Sequence, residues 1–264
     1  MIFDRAAPNW SAWERPWFIG NPIKSDDWDT WATRPGRRLI VTLGLIPNSA
    51  ESEDWRALGA AGHYAGYARA LAHNLVAARL GSAIIRLSNE PNGTWFVDNI
   101  GSTSTARRQW VALWQRTAAA MLSVPGAHFK FDWTVANGTG SVPLGAFYPG
   151  DKLVSYIGDD IYDTGHPVNG TSNWNHLATE PGGVDDVLAF ARAHHKQFSI
   201  PEWGLEPSSS GAGGDAAFVK AIADLTHRDG FAYQGYFFAG ASASVLQSDA
   251  TSLAAYRSEF DHES

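Results

Sequence analysis

Two glutamates follow apolar segments at distant points of the chain. Glu90 ends the segment 84–90, Ile-Ile-Arg-Leu-Ser-Asn-Glu, and Glu202 ends the segment 197–202, Gln-Phe-Ser-Ile-Pro-Glu. If both segments are parallel strands, their carboxyl groups lie at the same edge of the sheet, where α/β folds carry their active sites. Such a pair suits hydrolysis of a glycosidic bond, because one carboxylic acid protonates the leaving oxygen while the other carboxylate attacks the sugar or activates water.

Alternating segments of β and helical character predict the elements that position these residues. The apolar, β-rich segments are 2–5, 39–46, 83–88, 129–135, 154–162, 198–202 and 233–239. Between them, apolar residues recur at helical spacing in 64–78, 110–121, 184–191 and 218–225. Alternation of strand and helix predicts an α/β fold with a parallel sheet, which is compatible with an open doubly wound sheet or a closed (β/α)8 barrel.

The ends of the predicted strands favour the barrel. Polar side chains follow several strands, and neither of the Gly-rich phosphate-binding motifs follows any of them. We therefore predict a single catalytic domain over 1–264, built as a (β/α)8 TIM barrel. Because only seven strands are predicted, one βα unit is expected to be missing or replaced.

Composition excludes several classes of function. The chain has 264 residues, a formal charge of −7 and no cysteine, so disulfides, thiol nucleophiles and Cys-ligated zinc are excluded. The absence of a basic stripe argues against nucleic acid or a membrane as partner. No run of 18 apolar residues occurs, and charges interrupt the N-terminal segment, so no signal peptide is predicted. We expect no cofactor, and no subunit number is predicted.

Two further residue sets need an interpretation. Three aspartates lie at the end of one predicted strand, and their spacing favours ordinary hydrogen bonding over a metal site; they are Asp159, Asp160 and Asp163. Among the 12 tryptophans, three at strand ends are predicted to stack on sugar rings: Trp95, Trp133 and Trp203. A separate N-terminal group is predicted to pack as a patch or lid, without an assigned role: Trp10, Trp13, Trp17, Trp28 and Trp31.

Three ordered motifs resemble glycoside hydrolase family 26 of clan A, the β-mannanase family. They are Arg-Leu-Ser-Asn-Glu-Pro-Asn-Gly-Thr-Trp at 86–95, Tyr-Pro-Gly-Asp at 148–151 leading to Gly-Asp-Asp-Ile-Tyr at 158–162, and Pro-Glu-Trp-Gly at 201–204. The resemblance implies a (β/α)8 barrel, retaining hydrolysis, a polysaccharide or oligosaccharide substrate and an extracellular location. It also implies that the segment 2–5 is the second barrel strand, so that the first βα unit is missing or replaced.

The resemblance assigns roles to individual residues. Glu90 matches the acid/base after the fourth barrel strand, Glu202 matches the nucleophile after the seventh, and Tyr162 matches the tyrosine that steadies the nucleophile. Arg86 is expected to help keep Glu202 ionised. Asn89 stands where family 26 commonly has histidine, and an asparagine there suits a hydrogen bond to the 2-hydroxyl of the cleaved sugar.

These observations predict a retaining, endo-acting glycoside hydrolase that cleaves a β-linked hexose polysaccharide, with β-mannan favoured. Two alternatives stay open at this point. The enzyme could cleave another β-glycan or a bacterial surface glycan, since mannose and glucose differ at the hydroxyl that Asn89 is expected to contact. The chain could instead be a carbohydrate-binding barrel without catalytic activity.

Overall fold

The computed structural model of the protein describes residues 1–4, 7–19, 32, 34–52, 54–165 and 172–261. Its strands follow one another in the sheet in chain order. They are β1 (Ile2–Asp4), β2 (Ile40–Leu43), β3 (Ile84–Leu87), β4 (Lys130–Ala136), β5 (Val154–Asp163), β6 (Gln197–Leu205) and β7 (Phe231–Tyr236). Every neighbouring pair with a described register is parallel.

Helices lie in the connections between the strands and after the last strand. They are α1 (Trp10–Glu14), α2 (Trp55–Ala61), α3 (Ala65–Ala77), α4 (Ser104–Leu122), α5 (Trp174–Thr179), α6 (Val184–Ala193), α7 (Ala216–Thr226), α8 (Gly240–Ser248) and α9 (Ala250–Phe260), with short 3-10 helices at Asn48–Ser52 and Leu144–Ala146. None of the helices in these described ranges is long and apolar enough to cross a membrane.

The predicted parallel α/β fold is confirmed, and all seven predicted strands are present within a few residues of their predicted bounds. A closed eight-stranded barrel is not observed, because the described residues hold seven strands. Arg5, predicted to end the first strand, and Trp28 and Trp31 of the N-terminal group lie outside the described part of the chain.

The chain divides into two compact units. The first comprises Met1–Thr134 and Pro143–Ser155, and the second comprises Val135–Val142 and Tyr156–Ser264. The chain passes between the units more than once, and the prediction of a single domain stays a prediction.

In the first unit, large side chains of α4 pack against the sheet. Trp110 and Trp114 are one helical turn apart and fully buried, as their spacing predicts. The indole N–H of Trp114 donates to the Leu87 carbonyl at 2.8 Å, which ties α4 to the end of β3. The helix itself begins where Thr103 accepts a hydrogen bond from the Ala106 N–H at 3.1 Å.

The described N-terminal tryptophans in the first unit have different environments. Trp13 is buried, and its indole N–H donates to the Gly44 carbonyl at 2.8 Å. Trp10 stacks on Tyr67 with ring centroids 4.3 Å apart. Trp17, by contrast, is 45% exposed. The described part of this group is therefore mainly a packing cluster that holds α1 to the rest of the unit.

In the second unit, α7 and α9 pack together beside β6 and β7. Asp215 begins α7 by accepting hydrogen bonds from the N–H groups of Ala217 and Phe218, both at 2.9 Å. Phe218 is fully buried and contacts the ring of Trp203, which belongs to β6. This apolar layer supports the strand that carries Glu202.

Candidate active site

Glu90 follows β3 on a turn with unusual backbone geometry. Ser88 and Glu90 have φ angles of 58° and 51°, in the left-handed region that non-glycine residues rarely adopt. The Glu90 N–H donates to the Thr134 carbonyl at 3.0 Å, which holds the turn against β4. Such conformations cost about 1–3 kcal/mol each and cluster at functional sites. The first unit thus stores backbone strain at the residue for which the family resemblance predicts the acid/base role.

The Glu90 side chain is held by a tryptophan five residues along the chain. The indole N–H of Trp95 donates to Glu90 Oε2 at 2.6 Å. Trp95 is 55% exposed, so much of its ring surface faces solvent while its N–H is engaged. A ring that is both exposed and fixed in orientation suits stacking against the apolar face of a sugar.

Buried polar residues surround the base of this turn. Asn89 is 1% exposed and Arg86 is fully buried. Arg86 donates to Thr42 Oγ1 at 3.0 Å and to Thr134 Oγ1 at 3.3 Å, so the guanidinium links β2 to β4. Thr134 in turn donates to Asp132 Oδ1 at 2.9 Å. Because a buried charge is costly unless it is paired and hydrogen-bonded, this network fixes the strand end beneath Glu90.

Glu202 lies on a bulge of β6 in the second unit. From Ser199 to Trp203, β6 advances by four residues, while its partner β5 advances by three, from Gly158 to Ile161. A bulge of this kind leaves one residue outside the regular ladder and turns its side chain to a new direction. Glu202 falls within the bulged segment.

Two neighbouring side chains of β5 hold Glu202. Its backbone N–H donates to Asp160 Oδ1 at 3.0 Å, which satisfies a donor that the bulge removes from the ladder. The hydroxyl of Tyr162 donates to Glu202 Oε2 at 3.0 Å. Glu202 is 4% exposed, so its carboxylate is positioned in a largely dry environment. This is the contact with Tyr162 that the family resemblance implies.

The partner strand β7 makes room for the bulge at a glycine. A Cβ at Gly235 would lie 2.8 Å from the carbonyl oxygen of Pro201, closer than real side chains come. Only a residue without a side chain therefore permits this approach of β7 to the bulge.

The aspartate cluster in the second half of β5 is engaged in hydrogen bonds. Asp159 accepts from Asn137 Nδ2 at 2.9 Å, and Asp163 accepts from Asn173 Nδ2 at 3.0 Å. Across the described ranges, no group of three or more His, Asp or Glu residues is arranged to hold a metal ion. The two hydrogen bonds connect β5 to the residue that follows β4 and to the residue that precedes α5.

Asp163 also has an altered protonation equilibrium. Burial raises the pKa of its carboxyl group to about 7; the hydrogen bond from Asn173 opposes this shift, and the charges of Asp215 and Glu206 add to it. Oδ2 of Asp163 and Oδ2 of Asp215 are buried and accept no hydrogen bond in the described structure. These groups lie together in the second unit, beside the end of β5.

The three tryptophans predicted as sugar platforms have different environments. Trp133 and Trp203 are both 0% exposed, so neither ring presents a face to a ligand. Trp133 packs against Phe147 with ring centroids 5.1 Å apart, and Trp203 packs against Phe260 at 5.4 Å. The stacking role predicted for these two is therefore corrected to core packing. Trp95 alone of the three is exposed.

Sequence reasoning missed the features that orient the two glutamates. The bulge around Glu202 had a signal in Pro201, because proline inside a strand occurs mainly at edges and bulges. The sequence pattern places Asp160 among three aspartates but does not predict its contact with Glu202. The left-handed turn at Ser88 and Glu90 had no signal, since neither residue type favours that conformation strongly.

Comparison with known proteins places this fold. The catalytic domain of a family 26 endo-β-1,4-mannanase from Bacillus sp. JAMB-750 superposes with a TM-score of 0.62 at 17% identity, over 89% of this chain and 68% of that chain. A modular endo-β-1,4-mannanase from Cellulomonas fimi gives 0.61 at 20% identity, over 82% of this chain and 52% of that one. The YdhT protein from Bacillus subtilis gives 0.58 at 16% identity, over 85% and 66%.

The chain therefore has the fold of the glycoside hydrolase family 26 mannanases. It spans about half to two thirds of the length of these proteins. No protein-family model and no curated protein matches the sequence.

Proposed function

We propose that the protein is a retaining glycoside hydrolase in which Glu202 is the nucleophile and Glu90 is the acid/base. The observation that carries the proposal is the hydrogen bond from Tyr162 to Glu202, made on a bulge that separates this carboxylate from the regular sheet. A structural carboxylate needs neither an extra residue in its strand nor a dedicated tyrosine. The shared fold with family 26 mannanases supports the same assignment.

In the first step, a Glu202 oxygen attacks the anomeric carbon of the sugar and forms a covalent ester to it. The bond from that carbon to the glycosidic oxygen breaks at the same time, and the carboxylic acid of Glu90 gives its proton to the leaving oxygen. Tyr162 holds Glu202 in line for this attack. Glu202 thereby becomes a neutral ester, and Glu90 becomes ionised.

In the second step, a water molecule attacks the same carbon and the bond to Glu202 breaks. The ionised Glu90 takes the proton of that water and returns to the acid form. Two inversions give net retention of the anomeric configuration. This mechanism requires the two carboxyl groups to be about 5–5.5 Å apart.

We propose a β-linked hexose polysaccharide as substrate, cut internally, with β-mannan favoured. The support is the fold, which is shared with endo-β-1,4-mannanases, and Asn89, which directly precedes Glu90 and is almost fully buried. A fixed amide beside the acid/base suits the hydrogen bond to the sugar 2-hydroxyl that strengthens in the transition state.

A polysaccharide panel tests the proposal. Release of reducing ends is measured on β-mannan, mixed-linkage glucan and xylan, and we expect the wild type to cleave mannan. Glu202→Ala should be inactive and should recover part of its activity when azide or formate is added, because a small anion can replace the missing nucleophile. The matched control is Glu51→Ala, an exposed glutamate, which should behave as wild type. Full activity of Glu202→Ala without azide would contradict the proposal.

The burial of Trp133 and Trp203 weakens the alternative of a carbohydrate-binding barrel without activity. That alternative depends on several aromatic platforms, and only Trp95 of the three predicted platforms is exposed.

A further inference from the structure

The indole of Trp95 does more than offer an exposed ring, because its N–H engages one particular oxygen of Glu90. The indole nitrogen can donate a hydrogen bond but cannot accept one. An oxygen that already accepts this 2.6 Å bond is a poor place for the acidic proton of a carboxylic acid, since two hydrogens would then face each other. The two oxygens of Glu90 are thus made unequal by one neighbour.

We propose that Trp95 is a positioning residue that places the catalytic proton of Glu90 on Oε1, and that Gly93 is required for this arrangement. The inference rests on the proposed function, because it specifies how Glu90 acts as the acid. It assigns to the indole N–H a role separate from stacking on sugar.

Gly93 is the position that lets the indole reach Glu90. A Cβ built on Gly93 would overlap the Trp95 ring at Cζ2, Cε2 and Cη2. Cε2 is bonded to the nitrogen that donates to Glu90, so any side chain at position 93 displaces the donor itself. The Gly93 N–H also donates to the Glu90 carbonyl at 3.1 Å, which closes the turn between the two residues.

The bonds change as follows when the proton is on Oε1. The Oε1–H bond of Glu90 breaks and the proton forms an O–H bond with the departing glycosidic oxygen, while Oε2 keeps its hydrogen bond from Trp95. In the second step the water that attacks the sugar gives its proton back to Oε1. The indole N–H remains intact throughout, so Trp95 acts only through Glu90.

Trp95→Phe tests the inference, because it removes the N–H and keeps an aromatic ring. Two aryl β-glycosides of the sugar identified by the polysaccharide panel are compared. A phenoxide leaving group needs protonation, whereas 2,4-dinitrophenoxide leaves without it. We expect kcat/KM for the phenyl glycoside to fall by about 10- to 100-fold, a part of the roughly 10²- to 10⁴-fold that general acid catalysis contributes, and kcat/KM for the dinitrophenyl glycoside to stay within about threefold.

A pH profile gives a second readout that a packing role would not move. A hydrogen bond from the indole favours the ionised form of the acid. In Trp95→Phe the alkaline limb of kcat/KM for the phenyl glycoside should therefore move to higher pH. Trp17→Phe is the matched control, since it also removes an exposed indole in the first unit. It should leave kcat/KM for both substrates and the pH profile unchanged.

Gly93→Ala tests the second half of the inference in a double-mutant cycle with Trp95→Ala. Gly93→Ala alone should reproduce the leaving-group effect, and it should add little once Trp95 is alanine, because the displaced ring is then absent. Independent effects of the two changes would overturn the role of Gly93. Melting temperatures establish that the variants are folded. If Gly93→Ala is not folded, Trp95→Phe still decides the role of Trp95.

The outcomes separate this inference from the proposed function. Absence of hydrolysis by the wild type on all substrates would contradict the proposed function. The inference would be overturned, and the proposed function left in place, if the wild type hydrolysed the substrates and Trp95→Phe lowered kcat/KM for both aryl glycosides equally or for neither.

Discussion

The hydroxyl of Tyr162 donates a hydrogen bond to Oε2 of Glu202 across 3.0 Å, from β5 to the bulge of β6. Glu202 is almost fully buried, so water cannot easily replace this donor. The contact therefore connects the local irregularity of the strand to the orientation of the proposed nucleophile.

Tyr162→Phe should lower kcat on the cleaved polysaccharide by about 100-fold, the lower end of the effect of removing one preorganised donor from a catalytic site. The melting temperature should change little, since the ring and its packing against Phe237 are retained. Tyr148→Phe is the matched control, because it also removes a hydroxyl that donates to a carboxylate, Asp151, at 2.9 Å. Equal activity of the two variants would contradict the role of Tyr162.

Asp160→Ala should lower both stability and activity. Without Asp160 the buried N–H of Glu202 loses its acceptor, which costs about 1–3 kcal/mol in the free energy of unfolding. Asp160→Asn retains an oxygen acceptor and should recover most of the loss. Urea unfolding and kcat measured on the same preparations check this; an alanine variant as stable as the asparagine variant would show that the bulge does not depend on this bond.

The stability of the protein should depend on the protonation of Asp163. Its pKa is raised to about 7 by burial, whereas the ordinary value is 3.8. Between these values the folded state binds more protons than the unfolded state, so the free energy of unfolding falls as pH rises from about 4 to about 7. Asp163→Asn cannot ionise and can still accept from Asn173.

Urea unfolding of wild type and Asp163→Asn at pH 5.5 and pH 8 measures this effect. We expect the variant to gain stability relative to wild type at pH 8, where the wild-type carboxylate is charged. Asp224→Asn, at an exposed position of α7, is the control for the loss of one carboxylate. The prediction would be contradicted if the difference in the free energy of unfolding between wild type and Asp163→Asn were the same at both pH values.

The strands could be predicted from the sequence because they are short apolar runs bounded by polar residues, and this signal is local. The helices α8 and α9 were not predicted, because their residues are small, polar and weakly periodic. Their position depends on packing against distant parts of the chain, which local pattern does not record.

The wrong assignment of Trp203 has the same cause. The predicted strand ended at Glu202, which placed Trp203 in a loop, but β6 continues to Leu205 and Trp203 packs against Tyr256 and Phe260 of the unpredicted α9. Trp133 has a different cause: it already lay inside the predicted strand 129–135, and the local pattern does not show that its ring is buried within β4. An exposed platform and a core ring have the same local sequence signal at a strand end.

The most direct test of the central claim is to identify the residue that becomes covalently attached to the sugar. The wild type is incubated with a 2-deoxy-2-fluoroglycosyl fluoride of the cleaved sugar, which slows hydrolysis of the intermediate, and peptides are then sequenced by mass spectrometry. We predict one sugar per chain, attached to Glu202. An active enzyme that is labelled at another residue, or that never accumulates label while releasing products of inverted configuration, would contradict the account.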